Sequence, residues 1–82
     1  MFDLPARLAR LLLKMAEDYG RPAPAGVRID MKLSQRDLST LVAATRESVN
    51  KQLRLWREDG VVDLDSGYIV VRRSDDLRSL VE

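Results

Sequence analysis

Residues 34–53 read Ser34-Gln35-Arg36-Asp37-Leu38-Ser39-Thr40-Leu41-Val42-Ala43-Ala44-Thr45-Arg46-Glu47-Ser48-Val49-Asn50-Lys51-Gln52-Leu53, and their spacing decides the fold. Leu38, Leu41 and Val42 recur at helical spacing in the first half, and Val49 and Leu53 in the second. Only Ala43, Ala44 and Thr45 separate the two halves. A link that short makes two helices meet at a steep angle and leaves the second with one face on the core and the other outward. The pattern is that of a helix-turn-helix. Ser34 followed by Asp37 has the form of a capping box, so the first helix should begin there. Ser39 is small where that helix must pack closely against the next. Thr45 is a good N-cap for the second helix, expected from Arg46 to about residue 59, with Val49, Leu53 and Trp56 as its inner stripe and Gly60 as its stop. Trp56 is read as core rather than as a base-stacking residue, because it follows Leu53 on the buried side and lies far from the helix start. Ala43 stands in the turn where many such motifs have glycine; at positive φ an alanine costs about 1 kcal/mol relative to glycine.

Upstream, Leu4, Leu8, Leu11, Leu12, Met15 and Tyr19 paint one stripe of a core helix, with Asp3 as N-cap and Pro5 in its first turn. Gly20 ends that helix, and residues 20–26, with Pro22 and Pro24, read as a loop. Val27, Ile29, Met31 and Leu33 then alternate with Arg28, Asp30 and Lys32, the period-two pattern of a half-buried strand that delivers the chain to Ser34. Downstream, residues 61–64 and 68–71 are rich in β-branched and aromatic types and flank Asp65-Ser66-Gly67, which predicts a β-hairpin. Ser74 is expected to cap a short final helix that lays Leu77, Leu80 and Val81 on the core. The fold class expected is mainly α with a small antiparallel β-sheet, a winged helix-turn-helix DNA-binding domain. It should occupy residues 1–82 as a single domain, with the helix-turn-helix at about 34–58 and the wing hairpin at about 61–72.

Composition narrows what such a chain does. A formal net charge of +1 means that nucleic-acid binding must be argued from where charges sit, not from their sum. The chain contains neither cysteine nor histidine, which excludes disulfides, thiolate or imidazole metal sites, and Cys- or His-based catalysis. With no carboxylate pair in an evident cleft either, nothing supplies a nucleophile with its base, and an enzyme is not expected. The run Leu11-Leu12-Leu13, flanked by Arg10 and Lys14, is far short of a membrane span, and the expected location is the cytoplasm.

The outward face of the second motif helix carries Arg46, Glu47, Asn50, Lys51 and Arg54, side-chain types that match base edges and phosphates in a DNA major groove. Arg46 is the most informative. A helix start carries partial positive charge, so an arginine there opposes the local dipole preference and calls for a partner outside the helix. Guanine O6 and N7 match its guanidinium fork and would supply about 1–3 kcal/mol of base discrimination. The bland alternative is an arginine paired with Glu47 or pointing into water. Glu47 suits the helix start without any function, and in a groove would accept from a cytosine amine. Asn50, one turn on, is poised for a base edge, and Lys51 and Arg54 suit phosphates. Gln35, Thr45 and Ser48 are short or neutral donors near helix starts, fitted to backbone anchoring. At the wing tip, Ser66 and Gly67 offer donors to a phosphate that the flanking Asp63 and Asp65 would repel. Arg72 and Arg73 read as a solvated strand end.

Taken together, Leu33-Ser34-Gln35-Arg36-Asp37-Leu38, Val42-Ala43-Ala44-Thr45-Arg46-Glu47-Ser48-Val49-Asn50-Lys51-Gln52-Leu53 and Gly60-Val61-Val62 resemble the C-terminal winged-helix domain of the Crp-Fnr family of bacterial transcription regulators. The resemblance covers nearly the whole chain. It implies that Arg46 and Glu47 are the principal base readers, with Asn50 and Lys51 filling variable reading positions. It implies double-stranded DNA as partner, RNA polymerase as a second one, and a homodimer in the full-length protein, while a chain of this length would be monomeric or weakly associating. Family members also carry a sensory β-roll and a dimerisation helix, so the resemblance implies either an excised domain or a rare stand-alone protein, and no cofactor carries over. The competing expectation is a winged-helix protein-interaction module without DNA binding, which the near-neutral charge and the acids Asp63, Asp65, Asp75 and Asp76 permit.

Overall fold

The computed structural model describes residues 3–81. Helix α1 runs Leu4–Tyr19, and the Asp3 carboxylate caps it by accepting from the Ala6 backbone N–H at 3.1 Å. Leu8 and Leu12 are fully buried, and Leu4, Leu11 and Met15 pack half-buried against the core, as their spacing predicts. Three residues depart from that pattern, the first being Ala6, which is buried although outside the stripe. Ala9 is fully buried although it carries no weight in a stripe of large side chains, and Tyr19 is 45% exposed because the helix ends there and the chain turns into the sheet.

Residues 20–26 are not a loop. Strands β1 (Gly20–Ala23) and β2 (Gly26–Ile29) form an antiparallel hairpin, with Gly20 opposite Ile29 and Ala23 opposite Gly26. A second hairpin, β3 (Val62–Asp65) and β4 (Tyr68–Val71), joins the first through β2 and β4, giving the sheet order β1-β2-β4-β3. Pro22 is tolerated because β1 is an edge strand, where a missing N–H breaks no ladder. Gly20 does end α1, but in extended backbone at φ −73°. Its lack of a side chain serves close packing: a Cβ there would stand 2.0 Å from the Ala16 carbonyl oxygen and 2.6 Å from Val27 Cγ1.

The expected strand over residues 27–33 stops at Ile29. The Met31 N–H donates to the Ile29 carbonyl at 2.8 Å, bending the chain toward Ser34. Ile29 is fully buried and Met31 and Leu33 still pack against the core, but Val27 is 37% exposed.

Helix α2 (Gln35–Val42) begins with the predicted capping box: Ser34 Oγ accepts from the Asp37 N–H at 3.1 Å, and Asp37 Oδ2 accepts from the Ser34 N–H at 3.2 Å. Leu38, Ser39 and Val42 are buried; Leu41 is 55% exposed. At 3.6 residues per turn the three buried positions share one side and Leu41 falls roughly 100° away from its centre, off the stripe that spacing alone assigned to it. Helix α3 (Arg46–Glu58) follows after Ala43, Ala44 and Thr45, with Val49, Leu53 and Trp56 buried as read from the sequence.

In the second hairpin, Asp65 belongs to β3, opposite Tyr68, so the turn is two residues rather than three. Ser66 (φ 53°) and Gly67 (φ 88°) both take positive φ, the requirement of the type I′ turn whose twist matches its strands. Helix α4 (Ser74–Val81) packs on α1. Ser74 is its first helical residue rather than its cap. Leu77 is fully buried and Val81 half-buried, whereas Leu80, expected on the core, is 40% exposed because the stripe of so short a helix takes only residues four apart.

Candidate nucleic-acid interface

Helix α3 is held from one side only. Val49, Leu53 and Trp56 fix it to the core, and Arg46, Glu47, Asn50, Lys51 and Arg54 are all exposed. Its start is set by Thr45, whose Oγ1 accepts from the Ser48 N–H at 3.1 Å and donates to Ser48 Oγ at 2.8 Å. The two hydroxyls share one hydrogen bond, which leaves one hydroxyl proton of the pair for an outside acceptor.

Charge is distributed unevenly. Several acids elsewhere are paired: Asp18 with Lys14 at 3.3 Å, Asp30 with Arg21 at 2.8 Å and Arg28 at 3.5 Å, Asp75 with Arg78 at 3.2 Å, and Asp76 with Arg73. Among the described residues, Arg46, Lys51 and Arg54 have no ion pair within 4.0 Å, and neither has Glu47. Arg46 is thus exposed and not paired with Glu47, an arrangement that suits both an arginine pointing into water and one free to meet a base. Arg46, Lys51 and Arg54 thus stand on one exposed helix face with their charges uncancelled, as do Arg7, Arg10, Lys32, Arg36, Arg57 and Arg72 elsewhere among the described residues.

The structure brings Gln35, at the first turn of α2, to a surface depression of about 470 Å³ that it lines with Arg46, Glu47 and Asn50. Lys51 and Arg54 lie further along the exposed side of α3. Ser66 and Gly67 sit apart on the wing turn, and Gly67 lines a second groove of about 290 Å³ together with Ser34, Gln35 and Lys32. Gln35 is common to both hollows. Lys32 is the residue that sequence reasoning passed over, since alternation marked it only as the outward position of a strand that in fact ends at Ile29.

A family model described as the Crp-like helix-turn-helix domain matches residues 6–80. The chain belongs to that family. Members of the family bind DNA as transcription regulators. The Crp-type chain is 38% identical over 72 residues to the anaerobic regulatory protein of Bacillus subtilis, covering 87% of this chain and 30% of that protein. It is 36% identical over 69 residues to the global nitrogen regulator of Synechocystis, covering 84% of this chain and 31% of that protein. It therefore spans about a third of the length of these relatives, which are named as regulators and not as enzymes. In fold it is similar to the CO-dependent transcription factor CooA from Carboxydothermus hydrogenoformans, with a TM-score of 0.89, 21% identity, and coverage of 98% of this chain and 37% of that one. The winged helix-turn-helix class expected from the sequence is thus the fold observed. Among the described residues no helix is long and apolar enough to cross a membrane.

Proposed function

We propose that this chain, acting over residues 1–82 as one winged-helix unit, binds double-stranded DNA sequence-specifically for a Crp-Fnr-type transcription regulator. Helix α3 enters the major groove and α2 crosses the backbone. Arg46 forks onto guanine, Glu47 accepts from a cytosine amine, and Asn50 and Lys51 reach neighbouring bases. Gln35, Thr45, Ser48, Arg54, Ser66 and Gly67 anchor phosphates, and Thr45 also fixes the start of α3. The observation that supports this most is the exposed face of α3, where Arg46, Glu47 and Asn50 line one surface hollow with Gln35 of α2, and Lys51 and Arg54 follow along the same helix. An alternative protein-interaction module leaves that face unexplained and is not favoured by the family. The full regulator would present two copies to a two-fold symmetric site, so that a single copy binds a half-site weakly. RNA polymerase and a second copy of the protein are the partners this reading adds, and the cytoplasm is its location.

A salt titration of affinity for a panel of half-sites tests the proposal. Affinity should fall steeply with salt, and Arg46→Ala should flatten discrimination at one base pair by about 1–3 kcal/mol while leaving preferences elsewhere intact. Salt-independent binding, or unchanged preference in Arg46→Ala, would exclude the mechanism.

A further inference from the structure

The sheet has two edges, β1 and β3, and an open edge offers its unpaired backbone groups to a strand of another molecule. On β1, Pro22 removes one N–H from that offer. β3 contains no proline, and Asp63, Leu64 and Asp65 are all exposed on it. Register decides which of its amides look outward. The Arg72 N–H donates to the Val61 carbonyl at 2.9 Å, across the pair Val62–Val71. That pair, and Leu64–Ile69 two residues on, therefore do not exchange hydrogen bonds with each other. The N–H and C=O of Leu64 point away from β4, and in the exposed half of β3 they are the groups that a further strand would meet.

That outward N–H is already taken. Asp63 Oδ1 accepts from the Leu64 N–H at 2.8 Å, a contact between neighbours that competes with any ladder. An incoming strand has to displace a carboxylate before it gains its first hydrogen bond. Charge acts in the same direction. Two copies of the chain meeting antiparallel at this edge would be centred on Leu64 opposite Leu64, which sets Asp63 of each copy opposite Asp65 of the other. Residues so placed have Cα atoms about 4.5 Å apart, and like charges directly opposite are destabilising. Neither acid has an ion pair among the described residues to offset that repulsion.

We propose that Asp63, with Asp65, guards the β3 edge against pairing with the same edge of a second copy of this chain. Asp63 occupies the Leu64 amide, and the two carboxylates repel their counterparts. The guard gives a reason for two acids on a wing where they would repel a phosphate, and it operates whether or not DNA is bound.

The test is the mass of the chain by sedimentation equilibrium over a rising concentration series without DNA, together with the hydrogen-exchange rate of the Leu64 amide at each concentration. The intact chain should show no association through this edge, its Leu64 exchange independent of concentration. Asp63→Val removes both the acceptor and the facing charge, so its mass should rise toward twice the monomer value while Leu64 exchange slows. Asp63→Asn relieves the repulsion but keeps an acceptor oxygen, and should need about tenfold more protein to associate, since each copy still gives up a local hydrogen bond. If Asp63→Val stays monomeric throughout, or associates without slowing Leu64 exchange, the guard is wrong. If the intact chain itself pairs with slowed Leu64 exchange, it is wrong as well. If Asp63→Asn associates as readily as Asp63→Val, the role given to the occupied amide falls.

Discussion

At the scale of single residues, Ala43 carries the cost of the tight link between α2 and α3. Its backbone sits in the left-handed region at φ 55° and ψ 51°, where a Cβ crowds the following carbonyl. The geometry persists because the next residue closes the helix end, the Ala44 N–H donating to the Ser39 carbonyl at 2.9 Å. Replacing Ala43 by glycine removes a strain of about 1–2 kcal/mol and adds unfolded-state entropy worth about 0.4–1 kcal/mol. Ala43→Gly should therefore stabilise the chain by roughly 0.5–1 kcal/mol in denaturant unfolding, with little change in DNA affinity. The sequence marked Ala43 as standing where many such motifs have glycine, and the structure shows that the position does take positive φ. Arg46 differs: its identity and its place at a helix start were legible, but that it lines one hollow with Gln35 of α2 depends on how the two helices pack.

Among the elements, α3 depends on its cap as much as on its stripe. Thr45 satisfies the Ser48 N–H and orients the Ser48 hydroxyl in the same contact. Thr45→Ala should cost about 1 kcal/mol of stability. The same change should weaken binding equally to all DNA sequences, because it loosens a helix start and alters no base-reading group; unfolding curves and a half-site panel check the two parts. The two hairpins show where element-level reading holds and where it stops. The second is announced by β-branched runs around a glycine turn. In the first, prolines and small residues mask a strand whose pairing depends on being at the sheet edge, and an edge is a property of the sheet, not of the segment. Leu41 and Leu80 teach the same lesson for helices: spacing places a residue near a stripe, and only the packed neighbour decides where the stripe ends.

For the molecule as a whole, α1 is the support on which the reading head is built. It packs against α4, α2 and β2, and Leu8 and Leu12 are fully buried within the same cluster as Val49, Leu53 and Trp56 of α3. A chain of 82 residues has about 4–12 kcal/mol of total stability to lose. Leu8→Ala should remove about 2–5 kcal/mol of it, a large lowering of the unfolding midpoint, although residue 8 touches no proposed DNA contact. Below that midpoint, the folded fraction should keep its sequence preference, which a half-site panel at low temperature can verify.

Local signals determined the capping box, the short link, the cap and inner stripe of α3 and the glycine turn of the wing, because each depends on residues within a few positions of one another. The outward face of α3 followed from the same periodicity. Tertiary structure alone decided the β1–β2 hairpin, the end of β2 at Ile29, the exposure of Leu41 and Leu80, and the union of Gln35 with Arg46, Glu47 and Asn50 around one hollow. It alone also placed Lys32 against Tyr68 and Gly67, residues more than thirty positions away, for which no local pattern carries a signal. Edges, stripe limits and free charges are set by what lies across the fold, and a segment read by itself holds no record of its neighbours.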